Sequence, residues 1–158
     1  MTVSRTPLAR TAAVAAAVLL GAAGCETGGL ETYPTTATVE LPGGDVTVLA
    51  GSTVEGASEA DPSVRIAGEV RPDGRVEFET LHAGRIVNGA PAGKYKARII
   101  LASDDKKVRR LAARAVSPRY MEFSSAGFTF QVPSPDAVVL RVTPPDARQL
   151  ATLKADKD

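Results

Sequence analysis

The chain is predicted to fold as an all-β sandwich, and three observations carry that prediction. From residue 34 onwards, short segments rich in β-branched residues alternate with Gly, Pro and Asp turn signals. Inside those segments, apolar and charged side chains alternate with the two-residue period of a half-buried strand. Between 34 and 143 no stretch sustains a helical period, although residues 105–116 read as a loop with some helical character. The length, 158 residues, suits one domain with additional ends. Aromatic residues make up only 4% and Trp is absent, so the core must rest on Val, Ile and Leu with a few Phe and Tyr.

Residues 1–24 read as an export signal. Residues 1–10 are polar and carry Arg5 and Arg10, and residues 11–23 (TAAVAAAVLLGAA) are almost unbroken small apolar side chains. That stretch is shorter than the roughly 20 residues a bilayer span needs. The two arginines are not adjacent, which favours the general secretory route over the twin-arginine one. Ala22-Ala23-Gly24-Cys25 then looks like a lipobox, with cleavage between Gly24 and Cys25 and diacylglycerol on the Cys25 thiol. Ordinary cleavage near Ala23, leaving a free thiol, is the competing reading. Two or more acyl chains would hold the protein stably on a membrane, where one chain does not. Glu26 rather than Asp follows the cysteine and favours the outer membrane over the inner. Residues 25–33 make a polar tether.

The predicted sandwich spans residues 34–143. Residues 35–41 (TTATVEL) form its first strand and end at Pro42-Gly43-Gly44-Asp45. Residues 46–49 and 52–55 are the next strands, broken by Ala50-Gly51. Residues 63–70 (SVRIAGEV) place Val64, Ile66, Gly68 and Val70 on one face. Arg71-Pro72-Asp73-Gly74 is the sharpest turn, since Pro presets φ and Gly supplies φ > 0. Residues 75–80 (RVEFET) complete a hairpin with 63–70. Residues 94–101 (KYKARIIL) turn Tyr95, Ala97, Ile99 and Leu101 inward, and residues 127–132 (GFTFQV) and 137–142 (AVVLRV) bring the count to about seven strands. Pro144-Pro145 stops the fold, leaving 144–158 as a polar tail with one frayed helical turn.

Charge and composition exclude several function classes. Formal net charge is +1; without Arg5 and Arg10, 17 basic groups face 18 acidic ones, net −1. That balance offers no electrostatic case for nucleic acid as a partner. One cysteine and one histidine exclude an intrachain disulfide and a Cys/His metal site. Calcium-loop, phosphate-cradling and Gly-x-Ser-x-Gly patterns are missing, so neither metal nor cofactor is expected.

Several segments resemble a family of small planctomycete-type lipoproteins with a carboxypeptidase regulatory-like domain. The resemblance rests on Cys25, Tyr33-Pro34, Leu49-Ala50-Gly51 before Ser52-Thr53-Val54-Glu55, and Pro72-Asp73-Gly74-Arg75-Val76. It continues through Asn88-Gly89-Ala90-Pro91-Ala92-Gly93-Lys94-Tyr95-Lys96, Ser117-Pro118-Arg119-Tyr120, and Ser125-Ala126-Gly127-Phe128-Thr129-Phe130-Gln131-Val132. Order and spacing match across most of 33–143. The resemblance implies a seven-stranded, transthyretin-like Greek-key sandwich without established enzymatic activity, and it transfers no catalytic residue. Hydroxyisourate hydrolases, which share the related fold, use several histidines where this chain has one.

Each candidate site has a plainer reading beside it. Gly89, Pro91 and Gly93 could shape a ligand loop, but a fixed turn that delivers Tyr95 to the core, its hydroxyl capping loop backbone, explains them more simply. Pro72, Asp73 and Gly74 are structural turn residues. His82 lies in a polar connection with no second ligand or nucleophile beside it, which suits an exposed loop residue better than a general base. Lys106, Lys107, Arg109 and Arg110, with Arg114 and Arg119, form the only dense charge cluster. They are candidate contacts for phosphates or carboxylates of lipopolysaccharide, lipid head groups or acidic glycans; a solvated loop is the simpler reading.

The functional expectation is a non-catalytic, lipid-anchored envelope module, held to the membrane through Cys25 and contacting an envelope protein or glycan. A structural spacer without a specific ligand is the alternative, and an enzyme with an unrecognised site a remote one. An exposed edge strand would favour the binding module, and edges blunted by charge and proline the spacer.

Overall fold

The computed structural model describes residues 30–102 and 105–155. It is mostly β: among the described residues, nine strands form a six-stranded and a three-stranded sheet whose inner faces share one core. The chain joins the fold where Tyr33 and Ala90 exchange backbone hydrogen bonds (2.8 and 3.0 Å). Strand β1 (Thr36–Glu40) follows with alternating burial, Ala37 and Val39 facing in.

Residues 46–49 depart from expectation. They form a 3₁₀ turn, Val46–Leu49, instead of a strand. The Asp45 carboxylate accepts from the backbone N–H of Thr47 (2.9 Å) and from its hydroxyl (2.6 Å), which offers the backbone a local alternative to a ladder. The turn still delivers Leu49 fully into the core.

Strand β2 (Thr53–Ser58) is longer than its 52–55 forecast and lies between β3 (Arg65–Glu69) and a later strand. The period-two reading of 63–70 holds: Ile66, Gly68 and Val70 are buried, Val64 half so. The turn after it closes with Gly74 N–H donating to Arg71 O (2.8 Å) and Arg71 N–H to Arg75 O (2.9 Å). The returning segment, however, is not one strand. β4 (Arg75–Glu77) pairs with β1 in the small sheet, and β5 (Glu79–His82) pairs with β3 in the large one. Phe78 is the crossing point: its N–H donates to Thr35 O (3.0 Å) and its carbonyl accepts from Gly89 N–H (2.8 Å).

β6 (Arg85–Asn88) was not foreseen. It forms a hairpin with β5 over Ala83-Gly84, both with positive φ (49° and 75°), the pattern of a tight two-residue connection. β7 (Gly93–Ile100) runs beside β2 and buries Tyr95, Ala97 and Ile99. The split of 75–80 and the unforeseen β6 raise the strand count above the sequence expectation.

Residues 105–116, expected as a loop with some helical character, contain a full helix, α1 (Lys106–Ala115). Asp105 caps it, accepting from Lys107 N–H (2.6 Å) and Val108 N–H (3.3 Å), and the run Leu111-Ala112-Ala113-Arg114-Ala115 favours helix by intrinsic propensity. A 3₁₀ turn, Pro118–Met121, and a one-turn helix α2 (Phe123–Ala126) lead into β8 (Phe128–Val132), which pairs with β7. β9 (Val138–Arg141) lies parallel to β1, so Val76, Ala37 and Val138 form one row and Val39 sits beside Leu140.

The C-terminal segment is more ordered than one frayed turn. Helix α3 spans Ala147–Ala155. Asp146 and Gln149 cap it reciprocally, Gln149 N–H to Asp146 Oδ1 (2.8 Å) and Asp146 N–H to Gln149 Oε1 (3.0 Å). The Ser117 hydroxyl reaches the same Gln149 oxygen (3.1 Å), tying α3 to the residue that follows α1.

Candidate functional site

The residues singled out by sequence fall at opposite ends of the sandwich. Cys25 and Gly24, the lipidation and cleavage positions, lie outside the described residues. At the end where the chain joins the fold, Gly89 adopts φ +88°, and any Cβ there would sit 2.3 Å from Tyr33 O. Thr80 holds the Gly89 carbonyl through its buried hydroxyl (2.7 Å). Pro91 supplies the carbonyl that accepts from the Tyr95 hydroxyl (3.0 Å), with Gly93 opening β7 between them. Tyr95 is otherwise fully buried, and that burial raises its phenol pKa. Its ring lies 5.7 Å from that of Phe130, which in turn lies 5.6 Å from Phe78, so one aromatic stack joins β7, β8 and the crossing point.

The turn holding Pro72, Asp73 and Gly74 is at the far end. Asp73 accepts from Arg75 N–H (2.9 Å), and the Gly74 carbonyl accepts from Val39 N–H (2.8 Å), which fastens the turn to β1. A shallow concavity beside it is lined by Asp73, Glu40 and Arg141, but Arg141 is already held by Glu40 at 2.9 Å.

Lys106, Lys107, Arg109 and Arg110 all lie on α1 and are exposed. With Arg114 they make a helix face on which, among the described residues, no ion pair neutralises a cation. Arg119 is set apart, its guanidinium 4.6 Å from the Tyr120 ring centre. Below α1, an apolar groove of about 520 Å³ runs between the end of β7 and the Pro118–Met121 turn. Sequence reasoning missed this groove because its walls come from three segments that alternate or cap quite ordinarily by themselves.

A charge cluster on the outer face of the large sheet also escaped it. Glu55 on β2 receives Arg98 from β7 (2.8 Å) and Arg65 from β3 (3.3 Å), and both guanidiniums lie over the Phe123 ring (4.7 and 4.9 Å). The pairing Glu55↔Arg98 needs the strand order, which sequence does not show. Glu55 is shared between the two guanidiniums, with Glu122 also 4.0 Å from Arg98, and their stacking on Phe123 braces α2 against the sheet.

His82 is exposed, at the tip of the β5–β6 hairpin and paired in register with Arg85. Just behind it Leu81 and Ile86 face one another across the strands, 71% and 68% exposed. No match is found to any family model, curated protein or solved structure. The hairpin stands on its geometry alone. β6 is an edge of the large sheet, and among the described residues only Thr32, whose hydroxyl donates to Asn88 O (2.8 Å), touches its end. The other edge, β8, runs into Pro133 across a cis peptide bond. No group of three or more potential metal ligands is found among the described residues, and no helix of theirs is long and apolar enough to cross a membrane.

Proposed function

We propose that the protein is a lipid-anchored envelope module that acts by binding a partner protein through the β5–β6 hairpin. The observation that carries this reading is the open edge β6, flanked by the exposed apolar pair Leu81 and Ile86. An unpaired edge can accept a partner's strand, and a pair of large exposed apolar side chains gives that strand something to bury. The edge bears neither proline nor a run of charge, as a spacer's would. A glycan partner is the second reading, through the basic face of α1. The finer fold type, a transthyretin-like Greek-key sandwich of the kind in planctomycete-type lipoproteins, belongs to the same proposal. Its support is the order of the Pro72-Asp73-Gly74 and Gly89-Ala90-Pro91-Ala92-Gly93-Lys94-Tyr95 segments. Export, Cys25 acylation and an outer-membrane location complete it, with no catalytic residue, metal or cofactor assigned.

Two experiments test the proposal. A photo-crosslinking side chain at position 86, in cells, should capture one discrete protein that the same probe at Thr38 on the small sheet does not. Leu81→Lys with Ile86→Lys should remove that capture from a probe at Val87. Equal labelling at both positions would leave the spacer reading in its place. Intact mass of the membrane-extracted protein, beside Cys25→Ser, should show residues 25–158 with acyl chains that the variant lacks. An unacylated product with a titratable thiol would overturn the anchor.

A further inference from the structure

We infer that the groove beneath α1 is a binding site for a single-chain aliphatic carboxylate, with the chain in the groove and the head group at Arg109. The groove's volume, about 520 Å³, lies within the roughly 300–1,000 Å³ of small-molecule sites. Its walls are Ile100, Leu101, Ala113, Pro118 and Met121, with two arginines at the rim, Arg98 and Arg109. Among the described residues, no acidic side chain lines it. Ile100 is 44% exposed at its mouth, an apolar cost that an occupying chain would relieve.

The two rim arginines are not equivalent, and the difference locates the head group. Arg98 is held by Glu55 at 2.8 Å and reaches Glu122 at 4.0 Å, so its charge is already balanced. Arg109 is in no ion pair among the described residues. It stands one helical turn before Ala113 on the groove side of α1, with Lys106 and Arg110 beside it. The nearest described acid on that helix, Asp105, is committed to the backbone N–H groups of Lys107 and Val108. An open apolar wall ending at one guanidinium that has no ion partner among the described residues complements an apolar chain ending in an anion, and Arg grips a carboxylate in bidentate fashion. A neutral chain would leave that charge unused, and a short polar anion would leave the apolar wall wet.

The test is displacement of a fluorescent fatty acid from the purified full chain by dodecanoate below its micelle concentration, beside dodecanol and butyrate. Dodecanoate should compete saturably, with dodecanol and butyrate at least tenfold weaker. Arg109→Gln should weaken dodecanoate about tenfold and leave dodecanol unchanged. Ile100→Glu, at a position already 44% exposed and with its circular dichroism checking the fold, should abolish dodecanoate binding through like charge at the mouth. Ala113→Phe should fill the groove and block both long chains, its circular dichroism checking the fold. Indifference to Arg109→Gln and Ile100→Glu, or equal competition by butyrate, would overturn the assignment. The hairpin variants at Leu81 and Ile86 should leave this binding untouched, so the site stands or falls apart from the proposed partner surface.

Discussion

Gly89 shows how much a single missing Cβ decides. The Tyr33 backbone passes so close that a methyl group would overlap its carbonyl, and φ +88° is itself disfavoured for any other residue. Gly84, at φ +75°, has nothing within 4 Å. Gly89→Ala should therefore cost more than the roughly 1–3 kcal/mol of backbone strain alone, while Gly84→Ala should cost only that strain. Paired urea unfolding curves measure the difference. Equal midpoints for the two variants would show that the Tyr33 contact does not constrain the fold.

Two exposed carboxylates also have residue-level consequences. Hydrogen bonds from the Thr47 hydroxyl and N–H lower the Asp45 pKa, and those from Ser63 lower that of Asp61. A carboxylate whose folded pKa is depressed contributes stability that is present above the unfolded value, near 4, and is lost as pH falls through the folded one. Acid should thus loosen the Val46–Leu49 turn and the 58–63 loop as pH falls through those depressed values. Thr47→Val should move the Asp45 titration midpoint up toward the ordinary value in an NMR titration and leave Asp61 where it is.

At the scale of elements, caps decide what periodicity left open. α1 buries only Ala112 fully and exposes all five of its cations, so little tertiary packing holds it. Its stability leans on Asp105, and Asp105→Ala should destabilise it by about 1 kcal/mol. Amide exchange at Lys107 and Val108 should then speed while β2 and β7 stay protected. The same variant should also weaken dodecanoate binding, because Arg109 is positioned by that first turn. α3 follows the same logic through Asp146 and Gln149, whose spacing is a cap signature legible beforehand.

For the whole molecule, Phe78 is the joint between the sheets. It is 2% exposed, stacks on Phe130, and divides its backbone hydrogen bonds between Thr35 and Gly89. Phe78→Ala should cost about 3–5 kcal/mol and lower both sheets' stability in a single transition, read by amide exchange in β1 and in β3. Loss confined to one sheet would mean that the two are not one cooperative unit. The molecule is also polar in layout. The chain joins at Tyr33 beside the Gly89-Ala90-Pro91 turn, whereas α1 packs on the Val46–Leu49 turn beyond the other end of β1. A seven-residue span from Cys25 to Thr32 reaches at most about 25 Å. An anchor at Cys25 would therefore hold the hairpin end near the bilayer and set the basic helix at the far end.

What the sequence by itself determined was the local grammar of the sandwich. Period-two patterning placed Ile66 and Val70 together on one face of the 63–70 segment and Tyr95, Ala97 and Ile99 together on one face of β7, both turned into the same core, because a strand's faces alternate whatever it pairs with. The Pro72-Asp73-Gly74 turn was legible for a similar reason, since φ preferences are local. Only the tertiary structure decided which strands pair. Residues 75–80 look like one strand, yet hydrogen bonds to both Thr35 and Gly89 split them at Phe78. Residues 46–49 alternate like a strand, yet the Asp45 carboxylate closes them into a turn. The groove beneath α1, the Glu55–Arg98–Arg65 cluster and the open β6 edge all depend on residues far apart in the chain. Their chemistry exists only once packing brings them together, because burial and charge balance are properties of neighbours rather than of position.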